Sequence, residues 1–169
     1  MSLHKDLLKQ ASLLARKEPK KPLQASLRRA VSASYDTIFH LLVDEATRLM
    51  LKGHDRAPLR DNLERAFHHA TMKQTAVAFT KGTLPPKLVI GANNQVLQRP
   101  LIAVAETFVQ LQEARHAADY DRSLRFTRQE VLDLIDLTEQ AFQDWKQIHN
   151  SLQADTFLIG LLTYRHMQG

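Results

Sequence analysis

The chain contains no cysteine. That absence excludes disulfide scaffolds, thiol catalysis, iron–sulfur clusters and cysteine-ligated zinc in one step. Glycine is scarce, five residues in 169, and none gather into a phosphate-cradling loop, so P-loop and dinucleotide fingerprints are missing. No apolar run approaches the roughly 18 residues that a membrane-spanning helix needs. The first residues, Met1-Ser2-Leu3-His4-Lys5-Asp6, lack the apolar stretch and small-residue cleavage site of a secretory leader. What is present is the balance of an ordinary globular protein, 44% hydrophobic and 24% charged. The expectation is a cytoplasmic protein with no membrane contact and one domain over residues 1–169, its last helix (about 151–166) appended to the rest.

The net charge of +5 is unevenly placed. Residues 1–29 hold eight basic side chains (Lys5, Lys9, Arg16, Lys17, Lys20, Lys21, Arg28, Arg29) against Asp6 and Glu18, a net of +6. The other 140 residues hold 15 basic and 16 acidic side chains, a net of −1. Such a patch can steer a polyanion to the surface. It can equally be a solvated, lysine-rich face that aids solubility.

Apolar residues recur at helical spacing nearly throughout. Leu7, Leu8, Ala11, Leu14 and Ala15 predict a helix over 3–17, stopped by Lys17-Glu18-Pro19-Lys20-Lys21-Pro22. Pro22 is expected in the first turn of a second helix, where its missing N–H costs nothing. That helix should run to about Leu51, with Leu27, Val31, Ser34, Ile38, Leu41, Leu42 and Leu49 as its stripe. Gly53 and Pro58 mark a turn, and a third helix is expected over about 58–79 with Leu59, Leu63, Phe67, Ala70 and Ala78 inward. Residues 80–94 read as the longest loop, with turn chemistry at Gly91-Ala92-Asn93-Asn94 and a strand-like Leu88-Val89-Ile90. Pro100 should lie in the first turn of a fourth helix, about 97–119, lined by Leu101, Val104, Ala105, Phe108 and Leu111. Thr127 with Glu130 reads as a capping box opening a fifth helix, whose inner stripe is Val131, Leu134, Ile135, Phe142 and Trp145. Leu132 and Leu137 fall opposite that stripe and are expected to face outward. A last helix after Asn150-Ser151 carries Phe157, Leu158, Leu161 and Leu162. Long helices on short loops predict an all-α, up-and-down bundle of five or six helices.

Three polar constellations stand out. Glu113-x-x-His116 matches half of a carboxylate-bridged di-iron signature, but the chain has no second copy, and no metal site is expected. Arg29, Asp36, His40 and Asp44 share one side of the second helix and end in a His–Asp pair at i, i+4. An Asp beside a His holds one ring tautomer, which suits acid–base work or phosphate contact. The same stripe is also what an exposed face with helical ion pairs looks like. Arg115 continues the apolar stripe of the fourth helix, so its guanidinium should be half-buried and need a carboxylate or a phosphate. Asp119 or a carboxylate on another helix offers the first; a phosphate-bearing ligand would offer the second.

Two segments resemble a known family. Arg28-Arg29-Ala30-Val31-Ser32-Ala33-Ser34-Tyr35-Asp36-Thr37-Ile38-Phe39-His40 is similar to the RA-x-x-x-AYYA-x-FH helix of HEPN (higher eukaryote and prokaryote nucleotide-binding) domains. Arg115 through Asp121, followed by Phe126-Thr127 and the acidic fifth helix, is similar to their LR-x-x-ADYD…FT-x-EE segment. The two lie about 80 residues apart in the family's order, and the pattern spans about residues 5–148. The resemblance implies a homodimeric helical bundle without cofactor. It implies RNA or nucleotide binding of a toxin–antitoxin or defence type, or a non-catalytic module acting as antitoxin or as partner of a small nucleotidyltransferase. On this resemblance Arg115, His40 and Tyr120 are the catalytic candidates, and Arg29, Asp36, Asp44 and Asp119 the substrate-binding ones. Catalytic members act as metal-independent ribonucleases with Arg, four to six residues, then His in the late helix. A His can move the 2′-hydroxyl proton while an Arg fork holds the phosphate. Here four residues separate Arg115 from Tyr120, where the family has His. Phenols ionise near pH 10, so tyrosine makes a poor base at neutral pH. His40 is therefore the expected proton carrier.

Overall fold

A computed structural model describes residues 2–88 and 95–167, and seven α-helices carry most of them. They are α1 (Leu3–Ala15), α2 (Gln24–Met50), α3 (Ala57–Glu64), α4 (His69–Phe79), α5 (Arg99–Tyr120), α6 (Arg128–Ile148) and α7 (Leu152–Thr163), with single 3-10 turns at His54–Arg56 and Tyr164–His166. The expected all-α helical bundle is what forms. Among the described residues the β-type pairing is one isolated antiparallel bridge, Thr83 to Val96. No described helix is long and apolar enough to cross a membrane. The chain divides into two compact units: Met1–His40 with Thr107–Gln143, and Leu41–Glu106 with Asp144–Gly169. Helices α2, α5 and α6 contribute residues to both.

The first unit has an alanine-rich core cluster beside the fully buried Tyr35 and Phe108. Ala11, Ala15, Ala30, Ala33 and Ala118 are buried with Leu27, Val31, Val131 and Ile135. Short side chains at the contact let helix axes approach closely. Polar ties across long sequence separations then lock the pieces. Gln24 uses both ends of its amide on one residue, donating from Nε2 to the Phe126 carbonyl at 2.8 Å and accepting from the Phe126 N–H at 3.0 Å. Arg128 donates from Nε to the Ala15 carbonyl at 3.1 Å and from its other end to the Glu18 carbonyl, closing the end of α1. Glu18 in turn accepts from Ser26 Oγ at 2.8 Å and the Leu23 N–H at 3.2 Å, which organises the turn into α2. The expected capping box is present: Thr127 Oγ1 accepts the Glu130 N–H at 3.2 Å, and Glu130 accepts the Thr127 N–H at 2.7 Å.

The second unit is packed by close apolar contact. Phe79 of α4 and Phe157 of α7 meet edge-on at 4.9 Å between centroids, both fully buried. Thr75 donates to the Gly160 carbonyl at 2.7 Å, and a Cβ on Gly160 would come within 2.9 Å of Thr75 Cγ2 and 3.0 Å of Leu88 Cδ1. No side chain fits there, so the glycine sets how near α4 and α7 can pack. Asn150 takes the left-handed backbone (φ 66°) that Asn tolerates after a helix, and Ser151 then caps α7 by accepting the Ala154 N–H at 3.1 Å.

Several expectations need correction. The single helix over 58–79 is two, α3 and α4, separated by Arg65–His68, which raises the count from six to seven. Nothing in that stretch is a helix breaker; the chain leaves helical backbone and buries Phe67, at 6% exposure, outside either helix. The stripe is lost accordingly: Leu59 and Ala70 are exposed, while Thr71, Met72, Thr75, Ala76 and Phe79 are buried. Pro22 stands two residues before α2 and not within its first turn. Leu132 and Leu137 are half-buried, and Leu132 packs against the alanine-rich core. Leu88 is not in a strand; Val89, Ile90 and the turn expected at Gly91–Asn94 lie outside the described residues.

Candidate functional site

The two family-like segments meet in the first unit. Ser32 Oγ on α2 donates to Asp119 Oδ1 on α5 at 3.0 Å. Arg28 donates to the carbonyls of Ala118 (2.7 Å) and Asp121 (2.9 Å), and also to that of Leu124. The Ala118 carbonyl is one that the end of α5 leaves unsatisfied, those of Asp121 and Leu124 belong to the turn beyond it, and a cation there also complements the helix dipole. The Arg28 guanidinium also stands 5.8 Å from the centre of the Phe126 ring. Arg28 is thus a structural cap, although the sequence counted it in the anion-facing patch. Lys5, Lys9, Lys17, Lys20, Lys21 and Arg29 remain exposed.

Arg115 lies at the centre of this junction. Its guanidinium carbon stands 5.1 Å over the ring of fully buried Tyr35, a cation–π geometry. Its Nε is buried and faces Asp119 Oδ2 at 3.4 Å, an ion pair that does not reach hydrogen-bond geometry. Both side chains keep about a third of their surface, 33% for Arg115 and 36% for Asp119. Burial pushes the Tyr35 hydroxyl well above the ordinary phenol range; the Arg115 charge pulls against this and Asp36 adds to it. Tyr35 therefore stays neutral, a flat support for the guanidinium. A guanidinium held on one edge in this way can still offer its outer N–H groups to a phosphate as a planar fork.

The other candidates are placed as follows. Arg29 is exposed on α2. Asp36 is half-buried one residue after Tyr35. His40 is half-buried, its ring edge-on to Phe39 at 5.3 Å. Asp44 belongs to the second unit, where it accepts from Arg48 Nε at 3.0 Å. Tyr120, the last residue of α5, is 74% exposed and sits 4.9 Å from the His116 ring. Asp121 holds the following turn by accepting from Ser123 Oγ (2.6 Å), the Ser123 N–H (2.9 Å) and the Leu124 N–H (3.3 Å). The structure thus joins Arg115 and Asp119 to Ser32 and Tyr35. Those two partners lie inside the family-like helix, but helical spacing gives no means of pairing them with a residue some 80 positions away. Among the described residues no three His, Asp or Glu side chains gather as metal ligands would. Compared with known proteins, the chain matches no family model, no curated protein and no solved structure.

Proposed function

We propose that the chain is a HEPN-like protein that binds RNA or a nucleotide by a phosphate held at Arg115. The observation that supports this reading is the meeting of the two family-like segments, Ser32 with Asp119 at 3.0 Å and Tyr35 beneath Arg115 at 5.1 Å. The exposed lysines of residues 5–21 and Arg29 supply the field that draws a polyanion in. Arg29, Asp36 and Asp44 are the further substrate contacts of this reading, and the protein works as a cytoplasmic homodimer. If it cleaves RNA, it does so slowly and without metal, with His40 moving the proton, because exposed Tyr120 is a weak base.

Fluorescence anisotropy with a labelled single-stranded RNA tests the binding. Affinity should fall steeply with salt, since phosphate contacts release counterions. Arg115→Ala should weaken binding by about tenfold, the size of one charge-assisted contact, and Arg115→Lys by less. An absence of binding to RNA and to nucleotides at low salt would sink the proposal. A cleavage assay with chelator present, comparing wild type with Arg115→Ala and His40→Ala, tests the catalytic extension.

A second reading is favoured by the Asp119 carboxylate already facing Arg115. The arginine would then be structural and the protein a non-catalytic interaction module, an antitoxin or nucleotidyltransferase partner. In that case Arg115→Ala lowers the melting temperature while wild type binds no RNA or nucleotide.

A further inference from the structure

A cleft of about 360 Å³ opens in the second unit and shares no lining residue with the candidates at Arg115, touching the earlier candidates only through the Arg48–Asp44 pair. Its polar lining is Glu45, Arg48, Lys52, Trp145, Asn150 and Asp155. That volume lies in the range of small-molecule sites. Trp145 is the chain's one tryptophan, and it is 4% exposed. Its indole N–H has no acceptor among the described residues. An indole can only donate, and a buried donor left unmatched is costly, so an acceptor brought against this N–H is favoured. Arg48 and Lys52 bring positive charge to the same cleft. Glu45 and Asp155 add two carboxylates, which a purely anionic ligand would find repulsive. Arg48 and Lys52 also line an adjoining depression of about 270 Å³ with His54 and Arg60, whose lining contains no carboxylate.

We propose that this cleft binds a small acidic amino acid. One carboxylate of the ligand accepts from the Trp145 N–H beside Lys52, with a small adjustment of the ring. The ammonium lies against Glu45 and Asp155. The second carboxylate reaches the carboxylate-free depression toward His54 and Arg60. The pattern asks for both charges on one molecule, which neither a simple anion nor a simple amine provides. This site is independent of the phosphate reading at Arg115.

Trp145 reports on its own cleft, because no other tryptophan contributes to the emission. The full chain is titrated with L-glutamate, glycine, acetate and ethylammonium, each to millimolar concentration at fixed ionic strength. A saturable change in tryptophan emission with L-glutamate is expected, at least about tenfold tighter than with glycine, because a second charged group is engaged. Acetate and ethylammonium should give none. Glu45→Gln with Asp155→Asn should weaken L-glutamate by about tenfold or more while leaving the melting temperature of the free protein near wild type. Trp145→Phe, followed by calorimetry, should weaken it without abolishing it. No saturable response to L-glutamate, or an equal response to acetate, overturns the proposal. So does retention of full affinity by the Glu45–Asp155 double variant.

Discussion

The two units place their buried rings and polar ties differently. The first combines an alanine-rich cluster and the buried Tyr35–Phe108 ring pair with long-range ties from side chains to backbone that close helix ends: Gln24 to Phe126, Arg28 to the end of α5, Arg128 to the end of α1. The second combines the Phe79–Phe157 ring pair and the close approach that Gly160 permits with ties from Gln153 of α7 to Val96 and Gln98, the residues just before α5. Alanine contacts bury little apolar area per residue, so the polar ties beside them add specificity that large side chains supply elsewhere. The difference also bears on function. The polar ties of the first unit leave Arg115 and Asp119 half-exposed at a defined place.

Substitution should break the comparison most strongly in the second unit. Phe157→Ala removes a fully buried ring from against Phe79, and loss of about 3–5 kcal/mol is expected from urea denaturation. An effect below about 1 kcal/mol would mean that the ring pair is not what holds α4 to α7. In the first unit Arg28→Ala leaves the Ala118 carbonyl at the end of α5, and those of Asp121 and Leu124 in the turn after it, without their donor. Charge-assisted bonds to several carbonyls support a loss of about 2–3 kcal/mol, with Arg28→Lys recovering only part because an ammonium cannot span them as a fork. Gly160→Ala puts a methyl group where 2.9 Å separates it from Thr75, and about 1–3 kcal/mol should be lost. Hydrogen exchange would sharpen this: protection should drop first at α4 and α7 for Gly160→Ala and at α5 for Arg28→Ala.

How far the sequence disclosed all this differs between the units for the same physical reason. Periodicity reports which residues share a helix face, so α1, α2, α5, α6 and α7 were legible to within a few residues. The Thr127–Glu130 box was legible because its partners are three positions apart. The break at Arg65–His68 was not, since it contains neither glycine nor proline and arises from burying Phe67. Arg28 was misjudged because a cap partner about 90 positions away leaves no local trace, and an arginine in a basic stretch looks like a surface charge. Arg115 was placed well: its position on an apolar stripe foretold a half-buried guanidinium, and Asp119 foretold its partner. Tyr35 and Ser32 could not be added to that pair until the chain was folded.

The smallest expected effect is an acid dependence seated in the first unit. The Glu18 carboxyl is held below its ordinary value of 4.5, first by the Ser26 hydroxyl and then by the Leu23 N–H, with burial acting against them. Asp121 is held below 3.8, first by the Ser123 hydrogen bonds. In both cases the folded state binds its proton less readily than the unfolded chain. Between the folded and unfolded values the unfolded state therefore carries more protons, and stability rises with pH. The contribution is fully present above about pH 4.5 and disappears as pH falls through the lowered values. Urea midpoints measured from pH 3 to pH 6 should slope upward across this window. Glu18→Gln and Asp121→Asn should each flatten the slope, and together flatten it further, because the two carboxylates organise different turns, one before α2 and one before α6. Both carboxylates are open to solvent, so added salt should trim the effect without reversing it. A slope unchanged in the double variant would move the acid sensitivity to other carboxylates and remove the turns of Glu18 and Asp121 from the features that set the first unit apart.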